Sequence, residues 1–270
     1  MSSTVEILCI GNELLLGNTV NTNASWIARH VTSLGGKVTR ITTVADNLDE
    51  ISRAIREAIR RKPNFLITTG GIGPTFDDMT LMAVARALSV PIKLDKAAAA
   101  MIREHYARSF PKRRISLTKP RLKMASIPSG GMPIPNPVGT APGVRLNLHG
   151  IEIFCLPGVP QEARAIFRRF VSKAIRAKTH GMAFVEKWVT VQGAMESWLA
   201  PIIDRVMRRS PGVYIKSHPR GGEGSGGRFI ELHFSIFSSN REEAEKILLG
   251  AISNLIGYLK DSRLRISSLR

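Results

Sequence analysis

The segment TTGGIGPTFDDMT, residues 68–80, places three glycines within four positions, followed by two adjacent carboxylates. Glycines let backbone N–H groups approach an anion, and a helix that begins after such a loop adds its positive N-terminus. Asp77 and Asp78 would repel a phosphate bound there unless a divalent cation lay between them. Hard cations take a few carboxylates and complete their shell with phosphate oxygens and water. The pattern predicts a metal-assisted phosphate site, and a second interpretation, compatible with the first, is that one Asp caps the helix.

A second group of polar residues follows the first apolar run, VEILCI, in the segment GNELLLG at residues 11–17. The run predicts a buried strand, and loops that leave the carboxyl end of a strand often carry sites. Asn12 and Glu13 are candidates by this position, and Glu13 is a third candidate metal ligand.

Strand and helix patterns alternate through the first part of the chain. Apolar runs predict strands at VEILCI, VTRITTV, NFLITTGG and IEIFCLPG, and stripes of helical spacing predict helices between them and after the last. This alternation predicts an α/β fold with a parallel sheet covered on both faces. Ligands of such sheets bind outside the carboxyl ends of the strands, so we expect chemistry in the loops after Ile10, Thr69 and Leu156.

Helix boundaries and the second part of the chain can also be read from the pattern. Gly35 is a predicted C-cap, and Asn47 with Glu50 resembles a capping box. After residue 178 the order changes to strand, helix, strand, a Gly-rich connection, strand and helix. We therefore predict two domains, at 1–178 and 179–270, the second a small α+β domain.

Composition restricts the compartment and the partners. The chain has 39 Lys and Arg against 21 Asp and Glu, a formal charge of +18 that favours phosphate-bearing ligands or nucleic acid. No apolar run is long enough to span a membrane and no signal peptide is evident, so a cytoplasmic protein without membrane contact is expected. Cys9 and Cys155 lie in apolar runs, which predicts buried, inert thiols.

Four ordered motifs carry a resemblance to a known family. GNELLLG, TTGGIGPTFDDMT, NPVGTAPG (136–143) and LPGVPQEA (156–163) resemble the N-terminal domain of the CinA family, within the MoaB/Mog-like superfamily of molybdopterin-binding proteins. The match covers residues 4–176. Residues 184–262 more weakly resemble the small KH-like domain that follows in CinA proteins. The resemblance implies a three-layer αβα domain with a mostly parallel sheet, followed by a KH-like α+β domain.

The same resemblance implies an activity. CinA-type N-terminal domains are described as metal-dependent ADP-ribose pyrophosphatases, which form AMP and ribose 5-phosphate. Asp78 matches the acid shared across the superfamily, and Asp77 resembles a CinA feature. With Glu13, these acids would form the catalytic group and would hold one or two divalent ions, Mg, Mn or Co. The expected substrate-binding residues are Gly11, Asn12, Thr69, Gly70, Gly71, Gly73, Pro74, Thr75, Asn136, Gly139, Thr140, Ala141 and Gly158.

More detailed roles follow from the motifs. The three glycines of the loop would hold phosphate oxygens by their N–H groups, and Asn136, Gly139 and Thr140 would line the opposite wall. Basic residues expected near a second phosphate are Lys119, Arg121 and Lys123.

The sequence departs from the family pattern at three places. Asn12 stands where the first motif usually has Asp, which removes one anionic ligand. Arg121 and Met124 stand where bacterial members often have Asn and Gln. The chain ends at Arg270, so we expect no nicotinamide-mononucleotide deamidase activity of the kind found in the C-terminal domain of full-length CinA.

Two alternatives to a hydrolase remain open. One is a molybdopterin- or nucleotide-binding protein without hydrolase activity, which the loss of the acid at Asn12 favours. The other is nucleic-acid binding by the second domain, motivated by Arg208, Arg209, Lys216, Arg220 and the Gly-rich segment PRGGEGSGGR. The lack of a GXXG loop and the small number of aromatic residues argue against that partner and favour a packing or oligomerisation module. A homo-oligomer, dimer or trimer, is implied by the resemblance alone.

Overall fold

The computed structural model describes residues 3–112, 116–220, 229–260 and 265–269. The chain divides into two compact units, Met1–Thr179 and His180–Arg270. The first unit contains all four motifs. The Gly-rich connection at 221–228 lies outside the described residues.

The first unit is built on strands that follow the predicted apolar runs. In chain order they are β1 (Thr4–Ile10), β2 (Lys37–Val44), β3 (Phe65–Thr69), β4 (Ile92–Leu94), β5 (Ser126–Pro128), β6 (Met132–Ile134), β7 (Gly143–Leu148) and β8 (Ile151–Leu156). The main sheet has the order β2-β1-β3-β8-β7-β6. Its first four strands are parallel and its last two pair antiparallel. The mostly parallel sheet is confirmed.

Helices connect these strands and cover the sheet. They are α1 (Asn12–Leu15), α2 (Thr22–Ser33), α3 (Leu48–Arg60), α4 (Thr80–Ala87), α5 (Lys96–Ser109), α6 (Lys119–Met124), α7 (Pro160–Ile166) and α8 (Ser172–Thr179), the last two joined by the π-helical segment Phe167–Val171. Alternate residues of β1 enter two separate cores. Ile7 packs with α2 and α7, whereas Leu8 packs with α3, α4 and α5. The sheet is therefore the middle of three layers.

Two helix ends lie where the sequence predicts them, but one of them has only half of the predicted hydrogen bonds. At the end of α2, Gly35 has φ 79° and the N–H of Gly36 donates to Val31 O, the Schellman arrangement expected of a glycine C-cap. At the start of α3, the Asn47 side chain accepts from the N–H groups of Asp49 and Glu50. The Asn47 N–H donates to Ala45 O, so the reciprocal half of a capping box is not formed.

The basic stretch after residue 95 contains helix α5, which the sequence analysis did not predict. Asp95 caps it, because its side chain accepts from the N–H of Ala98 at 2.8 Å. Four alanines follow Lys96, and alanine has the highest helix propensity. The cap and this propensity were the signals available in the sequence.

The second unit has strands β9 (Ala183–Gln192), β10 (Tyr214–Arg220), β11 (Phe229–Ser238) and β12 (Arg265–Leu269), with helices α9 (Glu196–Arg209) and α10 (Arg241–Leu259). Its antiparallel sheet has the order β10-β11-β9-β12. An α+β unit is confirmed. The element order βαββαβ is that of the split βαβ, or ferredoxin-like, arrangement. The KH-like resemblance stays a prediction.

The two cysteines are buried and free, as expected. Burial raises the pKa of both thiols, that of Cys155 to about 11. Because the thiolate is the reactive form, neither should be modified at pH 8 in the folded protein. We predict that a disulfide-exchange reagent labels both thiols only after addition of guanidinium. Rapid labelling of the native protein would contradict this burial.

Candidate functional site

A cleft of about 510 Å³ lies where β1, β3 and β8 end, as the sheet rule predicts. Eleven predicted residues line it: Gly11, Glu13, Gly70, Gly71, Gly73, Pro74, Asp77, Asp78, Thr140, Ala141 and Gly158. The remaining predicted residues, Asn12, Thr69, Thr75, Asn136 and Gly139, are not part of its lining.

The floor of the cleft requires two glycines. Gly70 has φ 102°, and a Cβ there would overlap the carbonyl oxygen of Ile10. Gly71 has φ 66°, and a Cβ there would overlap the Thr80 hydroxyl. That buried hydroxyl donates to Gly70 O at 2.7 Å, and the Thr80 N–H donates to Gly71 O at 2.9 Å. The loop is thus fixed between β1 and the first turn of α4.

One predicted role of the loop is wrong. The Gly70 N–H donates to Leu156 O at 3.1 Å, which ties β3 to β8 and leaves this group unable to bind a phosphate. In the part of the chain that the structure describes, the N–H groups of Gly71 and Gly73 donate to no protein acceptor. These two glycines retain the predicted role.

Asp77 and Asp78 are held together by Thr75 rather than used as a helix cap. The Thr75 hydroxyl lies 2.5 Å from Asp77 Oδ1 and 2.6 Å from Asp78 Oδ2. The backbone N–H of Thr75 also donates to Asp78 Oδ2, at 2.8 Å. Helix α4 has Met79 at its N-cap, with no side-chain cap. The capping interpretation is therefore wrong, and Thr75 positions both carboxylates without lining the cleft.

The environment of Asp77 favours its charged form. The Thr75 hydroxyl lowers the pKa of this carboxyl most, followed by the backbone N–H of Asp77 and then by the charge of Lys123. Lys123 itself donates to the carbonyl of Thr75. This bond ties Lys123 to the loop that carries the acids, and its predicted contact with a second phosphate stays a prediction.

The other two predicted basic residues also lie outside the cleft lining. The Arg121 guanidinium stacks 3.7 Å from the ring centroid of Tyr106 and donates to Ser116 O at 2.6 Å. Tyr106 does line the cleft, beside Met124. Arg121 therefore supports a wall residue, and Lys119 is the first residue of α6.

The position of Asn12 is explained by an acid that the sequence analysis missed. The Asn12 N–H donates to Asp46 Oδ2 at 2.7 Å, and the Asp46 N–H donates to Asn12 Oδ1 at 3.2 Å. Asp46 lines the cleft in a loop after β2. Its place after a parallel strand was the available signal. The loop after β2 thus places a carboxylate beside Asn12, in the lining of the cleft.

Asn136 braces the loop that follows it, and its predicted contact with a ligand stays a prediction. Its Nδ2 donates to Ala141 O at 2.9 Å and to Glu162 Oε2 at 2.6 Å. Its Oδ1 accepts from the N–H groups of Val138 and Gly139. These four bonds use the full capacity of the amide. The brace presents the following loop residues, Thr140 and Ala141, to the cleft.

Glu162 is a second cleft residue that the sequence analysis missed. It lies in the first turn of α7 and faces the 136–141 loop so closely that a Cβ at Gly139 would overlap its carboxylate. Gly139 therefore serves close packing and does not line the wall. Thr69, another predicted substrate-binding residue, is also buried, and its hydroxyl oxygen accepts from Asn23 Nδ2 at 3.4 Å.

We expect Asn136→Ala to lower the free energy of unfolding by about 1–3 kcal/mol, because it removes four hydrogen bonds and leaves Glu162 without its amide partner. Urea denaturation measures the change. Asn18→Ala is the matched control, since Asn18 is exposed. Equal stabilities of the two variants would show that Asn136 is not a brace.

No group of three or more His, Cys, Asp or Glu in the described residues is arranged to hold a metal ion. The carboxylates that line the cleft are Glu13, Asp46, Asp77, Asp78 and Glu162. Mg²⁺ is commonly held by one or two carboxylates together with substrate phosphates and water. The hard oxygen donors present suit such an ion, bound jointly with a ligand.

The three-layer fold and the glycine loop over a carboxylate-lined cleft define an α/β ligand-binding domain of the molybdopterin-binding type. A family model described as "Probable molybdopterin binding domain" matches residues 6–177. The chain belongs to this family, which confirms the resemblance drawn from its motifs. Within the described residues, no helix is long and apolar enough to cross a membrane.

Relatives extend over both units. A protein of Pyrobaculum calidifontis is 42% identical over 258 residues, covering 95% of this chain and 96% of the relative. A protein of Saccharolobus islandicus is 43% identical over 265 residues, covering 95% and 97%. The crystal structure of the protein CinA, of unknown function, from Thermoplasma acidophilum is 41% identical with a TM-score of 0.60, and covers 64% of this chain and 98% of that chain.

Proposed function

We propose that the first unit binds the phosphate or diphosphate group of a pterin or nucleotide over the glycine loop. The observation that carries the proposal is the pair of N–H groups at Gly71 and Gly73, which have no protein acceptor in the described structure and lie in a cleft lined by carboxylates. Membership of a molybdopterin-binding family supports the same class of ligand.

The wall of the cleft suits the ring of such a ligand. Tyr106 lines the cleft beside the loop, together with the largely buried Met124 and Ile72. The guanidinium of Arg121 lies against the Tyr106 ring. A planar pterin or purine would contact this surface while its phosphates face Gly71 and Gly73.

A divalent ion, Mg, Mn or Co, would be held by Asp78 and Asp77. The Thr75 hydroxyl has one proton and can satisfy only one of the two carboxylates at a time. Asp46 and Glu13 face the same cleft and would bind water molecules of the shell. When bound, the ion would neutralise phosphate charge and polarise phosphorus. The lowered pKa of Asp77 extends its charged form to more acidic solution than for an ordinary carboxyl.

A second candidate function is hydrolysis of a nucleotide diphosphate, with ADP-ribose giving AMP and ribose 5-phosphate. The observation that favours it is the acid Asp46, which restores a carboxylate beside Asn12. Water would add to one phosphorus as the bridging P–O bond breaks. A cleft carboxylate such as Asp46 or Glu13 would accept the proton from water.

Product chromatography separates the two functions. Metal-stripped protein is incubated with ADP-ribose, with and without Mg²⁺, Mn²⁺ or Co²⁺, and AMP is followed with time. Ligand binding without AMP formation would support the ligand-binding function and not the hydrolase. Metal-dependent AMP formation would establish the hydrolase. Absence of both AMP and any ligand-induced rise in melting temperature, for ADP-ribose and a pterin phosphate, would contradict the proposal.

A further inference from the structure

The sheet of the second unit has one face that its helices do not cover. Residues such as Val189, Leu232 and Phe234 point from β9 and β11 into the core formed with α9 and α10. Neighbouring residues in a strand point to opposite faces. The alternate residues of these strands, and those of β10 in register with them, therefore form a second face of the sheet.

Aromatic rings from three adjacent strands meet on this second face. Phe237 lies 4.9 Å from Phe184, and Phe184 lies 6.4 Å from His233. His233 stacks on Trp188 at 4.2 Å with an interplanar angle of 17°, and Trp188 lies 5.4 Å from His218. These five residues form a continuous aromatic strip. All are partly exposed, so their rings remain accessible.

Two basic side chains of β10 border the aromatic strip. Lys216 is exposed on β10 and is the cross-strand neighbour of His233, and Arg220 projects on the same side of that strand. In the described residues, the two acids of this face, Glu186 and Glu231, each have a side-chain partner. Glu186 lies 2.7 Å from His233 Nε2, and Glu231 accepts from Arg220 Nε at 3.1 Å. Lys216 has no ion-pair partner in the described residues, whereas Glu186 contacts an imidazole, which carries charge only when protonated.

We propose that the aromatic strip binds single-stranded nucleic acid. Bases would stack against the parts of the strip that stay exposed around the Trp188–His233 pair, and the phosphate backbone would follow β10 past Lys216 and Arg220. Base stacking on aromatic side chains suits any sequence, because every base has a π face. A four-stranded sheet that presents aromatic rings to bases is an established mode of RNA recognition. Aromatic residues are few in the sequence, but the sheet brings those of this unit together on one face.

The test uses the full chain and a fluorescein-labelled single-stranded RNA of about 12 nucleotides, within the range of single-strand site sizes. Affinity is measured by anisotropy at several salt concentrations. Trp188→Ala should weaken binding about 5- to 150-fold, the range expected for loss of one base stack. Trp198→Ala, on α9, is the matched control and should bind normally, since Trp198 lies on a helix and not on the sheet face.

Charge and fluorescence give two further readouts. Removing both Lys216 and Arg220 should reduce the slope of log affinity against log salt by about 1.4, since each single-strand phosphate contact contributes about 0.7. RNA should quench Trp188 emission, measured as the difference between wild type and Trp188→Phe, and the Phe variant should retain part of the affinity.

Three outcomes decide the proposal. Single-stranded DNA of the same sequence identifies the class of strand, since equal affinity indicates stacking alone and preference for RNA indicates contact with the 2′-hydroxyl. Either result, with loss in Trp188→Ala, supports the site. No RNA or DNA binding at about 50 mM salt would overturn it. Binding that is unchanged in Trp188→Ala would also overturn it, because the nucleic acid would then lie on another basic surface.

Discussion

Gly70→Ala is expected to destabilise the first unit by about 3–5 kcal/mol and to abolish ligand binding, the largest effect of any small substitution near the cleft. Two costs combine. The added Cβ would overlap the backbone carbonyl of Ile10, which cannot turn aside as a side chain can. The residue would also have to keep φ 102°, which side chains disfavour. Urea denaturation and titration with ADP-ribose measure the two losses.

Gly17→Ala is the matched control for Gly70→Ala. Gly17 also has positive φ, at 74°, but a Cβ there would meet nothing within 4 Å. Its substitution should cost only about 1 kcal/mol, the conformational part alone. If the two variants were equally stable, the close approach of the loop to β1 would not be a constraint on the fold.

Asp78→Asn is expected to weaken metal-dependent ligand binding, or turnover if there is any, by at least about 100-fold. Loss of a residue that only supports a metal ligand typically costs 10- to 100-fold, so loss of a proposed ligand should cost no less. The fold should change little, because an amide oxygen can still accept from the Thr75 N–H. We expect a stability loss of about 1 kcal/mol.

Asp49→Asn provides the same change of charge outside the cleft. Asp49 is 75% exposed and pairs with Arg86. The metal titration of this variant should match that of wild type. Unchanged metal-dependent binding in Asp78→Asn would remove this carboxylate from the site, whatever the behaviour of the control.

The parallel sheet could be predicted because its strands carry a strong local signal. β3 and β8 are uniformly buried and apolar enough to read as core strands without knowledge of their partners. Their carboxyl ends then located the cleft. The glycine loop was also local, since its three glycines and two acids lie within nine residues.

The hydrogen-bond roles could not be predicted, because they depend on contacts distant in sequence. The Gly70 N–H bonds to a carbonyl of β8, and the Asn136 amide bonds to a carboxylate 26 residues further on. Asp46 entered the site through a bond to Asn12 across 34 residues. In each case the residue type allowed several partners, and only the fold selected one.

The aromatic strip of the second unit could not be predicted either, because its residues are also distant in sequence. Phe184 and Phe237 are 53 positions apart and meet only because β9 and β11 pair antiparallel in one register. A shift of one residue would move the rings to the covered face. Counting aromatic residues therefore underestimated the surface that the sheet forms.

The most direct test of the proposed function is calorimetric titration of ADP-ribose and of a pterin phosphate into metal-stripped protein, with and without Mn²⁺. We predict one site per chain, tighter binding with the metal, and no measurable binding to Gly70→Ala. Binding that is equally strong without metal and unaffected by both Gly70→Ala and Asp78→Asn would contradict a phosphate site at the glycine loop.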